Sequence, residues 1–119
     1  MHSFDMKEII LRFSDEVKAL CAELIERAAK TKIERSIVKA IDEKKGWIQN
    51  DWHYGNPIAK ILIPDEYRIK YGAMNLFRVE LPNFWRMLYS VRDYDDKTEI
   101  IVVDILDHKS YNKKFGYKD

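Results

Sequence analysis

Several features that announce a specialised class are scarce or missing in this sequence. Its single cysteine, Cys21, cannot form an internal disulfide, so a reducing cytoplasm is the expected setting. Four glycines and three prolines are too few for long disordered linkers. No apolar run approaches the roughly 20 residues of a membrane-spanning helix, so no membrane role is expected. Met1 to Phe13 interleaves Asp5, Lys7, Glu8 and Arg12 with its apolar residues, unlike a signal peptide. Charge of one sign is lacking too. Lys and Arg number 21 and Asp and Glu 20, a net +1 without the basic excess usual for nucleic-acid binders. There is no phosphate-binding loop, no Rossmann glycine pattern and no nucleophile elbow, and His2, His53 and His108 are too scattered for a zinc motif. Neither a metal nor a cofactor is expected.

What is present is ordinary globular composition, 46% hydrophobic and 34% charged over 119 residues, enough for one domain with one core across residues 1–119. Glu8 to Phe13 reads as a first strand. Ser14 offers an N-cap, and Val17, Leu20, Cys21, Leu24, Ile25 and Ala28 follow at helical spacing, predicting a helix from Ser14 to Lys30. Thr31 and Glu34 have capping-box spacing for a second helix, buried through Ile37, Val38, Ile41, Trp47 and Ile48 and ended before Gly55-Asn56-Pro57. Ile58 to Ile63 reads either as a short strand or as an ordered loop. Asp65 to Asn75 shows no period.

Leu76–Leu81, Trp85–Val91 and Glu99–Leu106 read as three further strands. A three-residue turn at Pro82, Asn83 and Phe84 sets Leu81 opposite Trp85 and Glu80 opposite Arg86. One face then collects Phe77, Val79, Leu81, Trp85, Met87, Tyr89 and Val91. A two-residue turn would bury Arg86 on that face instead. The β-branched run at Ile100–Ile105 suits a central strand, to which the first strand can pair in parallel, with the helix hairpin as crossover. The expectation is an α+β fold: an N-terminal strand, a helix hairpin, then a three-strand antiparallel meander, with two helices packed on one face of a small sheet.

The opposite face carries Arg78 and Arg86, and the last strand leads into Asp107-His108-Lys109-Ser110-Tyr111. Arginine forks, a histidine able to move a proton near neutrality and an aromatic ring suit RNA backbone cleavage without a metal. In such a reaction the 2′-hydroxyl attacks the adjacent phosphate. Simpler readings stand beside this one. Glu80 and Arg86 make a cross-strand ion pair, Arg78 is solvated, and His108 is a structural residue at a strand end. The lysines at 109, 113, 114 and 118 form a solvated tail. Trp47, Trp52 and Tyr54 are core or capping contacts rather than a base-stacking platform.

Three pieces of sequence resemble the RelE/ParE superfamily of toxins: Tyr54-Gly55-Asn56-Pro57-Ile58; Asn75–Leu81 followed by Trp85-Arg86-Met87-Leu88-Tyr89; and Asp107–Tyr111 with Phe115-Gly116-Tyr117. The resemblance runs from Glu8 to about Tyr117. It implies an mRNA endonuclease acting in the ribosomal A site, neutralised by a cognate antitoxin. By position it implies that Arg86 contacts the scissile phosphate and that Arg78 and Lys109 occupy basic positions, with His108 beside them. Tyr111, with Lys113 and Lys114, would bind substrate. Glu80 departs from the pattern, standing where the nucleases carry a lysine. A ParE-like inhibitor of DNA gyrase and an inert interaction domain are the alternatives within the same fold.

Overall fold

The computed structural model describes residues 7–116. His2, Tyr117 and Lys118 lie outside the described residues.

The first strand, β1 (Glu8–Phe13), runs straight into a capped helix. Ser14 Oγ accepts the Val17 N–H at 3.2 Å, while its own hydroxyl donates to the Val103 carbonyl at 3.2 Å. One buried serine thus fixes where the strand ends, where α1 (Asp15–Ala28) begins and how both sit on the sheet. Asp15 and Glu16 in the first turn complement the helix dipole. Thr31 caps α2 (Lys32–Asn50) by accepting the Glu34 N–H, and its hydroxyl donates to the Glu34 carboxylate.

Among the described residues the sheet has five strands in the order β1-β5-β4-β3-β2, with β2 (Asn56–Pro57), β3 (Phe77–Glu80), β4 (Arg86–Asp93) and β5 (Lys97–Leu106). β1 pairs in parallel with β5, and the remaining pairs are antiparallel. Glu80 lies opposite Arg86, and the Leu81 N–H donates to the Trp85 carbonyl at 2.9 Å across the Pro82–Phe84 turn.

The observed sheet is wider than the expected one by the edge strand β2, while the parallel β1–β5 pair is as expected. The helix hairpin also leads to β2 on the far edge rather than straight into the central strand. Ile58–Ile63 is a loop containing one tight turn, Lys60–Leu62.

Two further helices appear, α3 (Asp65–Tyr71) and α4 (His108–Phe115), where the sequence showed no period and what read as a tail. At seven and eight residues they are too short to display a stripe. α3 ends on Gly72 in the left-handed conformation (φ 67°), which lets its N–H reach back to the Arg68 carbonyl at 2.9 Å.

Each sheet face has its own core. Val17, Leu24, Ile37, Ile41 and Ile48 of α1 and α2 pack on Val79, Met87, Tyr89, Val91, Ile100, Val102 and Ile105. On the other face Tyr67 of α3 and Tyr111 of α4 pack with Leu76, Leu88, Val103 and Leu106. A bulge on β5 explains why Val102 and Ile105 share a face although they differ in parity. Leu88 pairs with Asp104 but Tyr89 with Val102, so Val103 is the extra residue. Trp47 and Ile25, expected inside, are exposed. Their neighbours Ile48 and Leu24 take the buried positions, and one helical step turns a side chain by about 100°.

Long-range polar ties lock the layers. The Tyr89 hydroxyl donates to the Trp52 carbonyl and accepts the Gly55 N–H, each at 2.7 Å. Residue 55 must be glycine for this approach, because a Cβ there would stand 2.8 Å from the Tyr89 ring. Glu16 accepts from Lys70 and Tyr71, joining α1 to α3, and these bonds hold its carboxyl down at about 2.

Tyr89→Phe removes one group and strands two backbone partners, one buried and one part-buried. It is expected to cost about 1–3 kcal/mol. Urea unfolding checks this: the midpoint should fall with the slope unchanged, and a midpoint equal to the parent's would contradict the bonding described.

Candidate functional site

Arg78 and Arg86 share the sheet face opposite the helix hairpin, as period two requires of residues alternating with Val79 and Met87. The Glu80 carboxylate lies between them. Arg78 Nε is 2.9 Å from Oε2, and Arg86 Nε is 3.2 Å from Oε1. Two guanidinium groups and one carboxylate leave one unit of positive charge. The Arg86 side chain is only 14% exposed, whereas Glu80 is 53% exposed. Exposed ion pairs contribute little, but a charge this covered needs partners.

Arg86 has two more. Its Nη1 donates to the Phe84 carbonyl, and its guanidinium lies 4.9 Å from the centre of the Tyr111 ring. The turn supplying that carbonyl is strained, with Asn83 at φ 59° and Phe84 at φ 62°, neither of them glycine. A bulky residue at positive φ costs about 1–3 kcal/mol and tends to mark functional sites. Phe84 is nonetheless exposed, and its ring lies 5.7 Å from the His108 imidazole.

α4 brings the C-terminal candidates to this corner. Asp107 caps it by accepting the Ser110 N–H at 2.8 Å, which sets His108 and Lys109 in the exposed first turn. The His108 Nε2 and the Asn112 amide nitrogen are 3.2 Å apart. One turn on, Tyr111 is 2% exposed. It accepts from Arg78 Nη1 at 3.0 Å and stacks on Phe115 at 4.5 Å. A ring so covered holds the corner together rather than offering a face to a base, and this differs from the role the resemblance implied.

Lys113 is exposed. Lys114 instead joins α4 to α3, with Nζ 3.0 Å from Glu66 and 3.2 Å from Asp104, the carboxylate that also accepts from the Tyr67 hydroxyl. Burial works against its charge, but the bonds to Glu66 and Asp104 outweigh it and its pKa ends raised. It is a structural cation, not one held ready for substrate.

Residues 78, 80, 84, 86, 108 and 111 therefore form one corner. Lys109 and Lys113 lie nearby in sequence, and Lys114 is engaged elsewhere. The Phe84 contribution was not legible in the sequence, because nothing in Pro-Asn-Phe signals two consecutive left-handed residues. Among the described residues no cluster of His, Cys, Asp and Glu could hold a metal ion. Comparison with protein-family models, with curated proteins and with solved structures returns no match.

Truncating the ring that roofs the corner should show. Tyr111→Ala is expected to lower stability by about 3–5 kcal/mol and Tyr111→Phe by about 1 kcal/mol. Both are measurable by denaturant unfolding, and an alanine variant as stable as the parent would show that the ring does not anchor α4.

Proposed function

We propose that this chain is a RelE-like toxin of a toxin–antitoxin pair, an endoribonuclease that cuts mRNA in the ribosomal A site and so arrests translation. The reading takes the helix hairpin on one face of the strands from Phe77 to Leu106 as the RelE-like arrangement. One observation supports it above the others: segments 78–86 and 108–111, distant in sequence, meet through the Arg78–Tyr111 bond and the Phe84–His108 ring contact. Two arginines and a histidine at one corner, with Lys109 next to that histidine in sequence, suit attack of a 2′-hydroxyl on its neighbouring phosphate. The O2′–P bond forms and the P–O5′ bond breaks, leaving a 2′,3′-cyclic phosphate and a 5′-hydroxyl.

In this scheme His108 takes the hydroxyl proton or returns one to the leaving oxygen, and solvent water carries the other proton. Arg86 and Lys109 offset the charge of the phosphorane, with Arg78 holding the corner through Tyr111. No cofactor enters. A small antitoxin encoded alongside would neutralise the chain in the cytoplasm.

One observation favours a second reading. The bridging Glu80 already engages both guanidinium groups, which suits a surface that binds without cutting. That surface would belong to a ParE-like gyrase inhibitor or an inert interaction domain.

Inducible expression with mapping of transcript 5′ ends separates them. The nuclease reading expects arrest with new ends within codons, and cleavage reduced about a hundredfold in Arg86→Ala and His108→Ala. Intact transcripts with blocked supercoiling would support the gyrase reading, and harmless expression the inert one.

A further inference from the structure

A second feature, outside that corner, lies at the end of α2. Trp47 and Tyr54 are 46% and 42% exposed and meet edge to face, with ring centres 5.5 Å apart. Lys44, one helical turn before Trp47, holds its Nζ 4.8 Å from the Trp47 ring centre and 5.6 Å from that of Tyr54. The same Nζ donates to the Tyr54 hydroxyl at 3.1 Å. Neither ring belongs to a core cluster, since Ile48 fills the buried position on α2. Lys44 and Tyr54 also line a shallow cleft with Asn56, Arg78 and Glu80, which leads from these two side chains to Arg78 of the arginine corner.

We propose that Trp47, Tyr54 and Lys44 form a stacking platform for single-stranded RNA, holding a base beside the nucleotide that reaches Arg78 and Arg86. The proposal rests on the RNA reading above and adds to it a binding subsite apart from the cleavage groups. Three features favour RNA over a protein partner. Half-exposed rings offer π-faces to any base. Two cations, Lys44 and Arg78, line the cleft. The cleft itself is shallow and open, so an extended strand can reach it. An incoming base displaces Lys44 from the rings, and its ammonium turns to the adjoining phosphate. Glu80, which lines the cleft and pairs with Arg78, keeps its excess charge small, so affinity depends on stacking more than on charge.

The test is fluorescence anisotropy with a labelled 2′-O-methyl RNA decamer, which has no free 2′-hydroxyl to attack and so reports binding without cleavage. The parent should bind. Tyr54→Ala and Trp47→Ala should each weaken binding about tenfold, with Tyr54→Phe within about twofold of the parent. Lys44→Gln keeps both rings and should lower the salt slope by about 0.7. Thermal unfolding of each variant confirms that it is folded. A parent that ignores the decamer, or alanine variants that bind as the parent does, would overturn the platform. So would a Trp47→Ala chain that binds RNA normally but no longer arrests growth, which would assign the rings to a protein partner. Transcript cleavage by a chain that fails this assay would leave the nuclease reading standing and the platform refuted.

Discussion

A guanidinium that is mostly covered cannot be left without partners, and the corner of this protein is arranged around that fact. Arg86 faces the Glu80 carboxylate across the strands, donates to a carbonyl held in place by a left-handed turn, and sits against the Tyr111 ring. Each partner comes from a different element. The β3–β4 pairing supplies Glu80, the strained turn supplies the carbonyl, and α4 supplies the ring. Removing the charge would relax the reasons for all three. α4 in turn carries His108 and Lys109, so the constraint that secures Arg86 also determines where the proton-transferring and cationic candidates stand.

β5 makes the arrangement affordable. It lies between β1 and β4 and is packed on both faces, and its bulge shifts the alternation so that Val103 and Asp104 serve the second face while Ile105 returns to the first. Asp104 is thereby free to accept from Tyr67 and Lys114, binding α3 and α4 to each other and to the sheet. The arginine corner is the part of that face which these helices leave partly open.

Much of this was legible in the sequence wherever a period or a cap was strong. β1, both long helices with their Ser14 and Thr31 caps, and the Glu80–Arg86 register followed from spacing alone. The register was decided by the cost of burying Arg86. The misses have physical causes. α3 and α4 are too short to show a stripe, and β2 has only two residues. Trp47 and Ile25 were assigned inward because an apolar residue next to a buried one looks buried, although it points about 100° away. Of the site, Arg78, Arg86, His108 and Tyr111 were named from sequence. The inward packing of Tyr111, the structural role of Lys114 and the part played by Phe84 depend on tertiary contacts that no local pattern encodes.

In the proposed function, a metal-free cleavage corner and an aromatic cleft would both face a single-stranded RNA. Its central claim is chemical: the nucleophile is the substrate's own 2′-hydroxyl, served by protein groups. The most direct measurement is single-turnover cleavage on programmed ribosomes, using mRNA with one 2′-deoxynucleotide at the position of the cut. The expected result is that the unmodified message yields a 2′,3′-cyclic phosphate and a 5′-hydroxyl, and that the single deoxy substitution abolishes the cut. Cleavage that proceeds unchanged at the deoxy position, or an unmodified message left whole, would contradict the account.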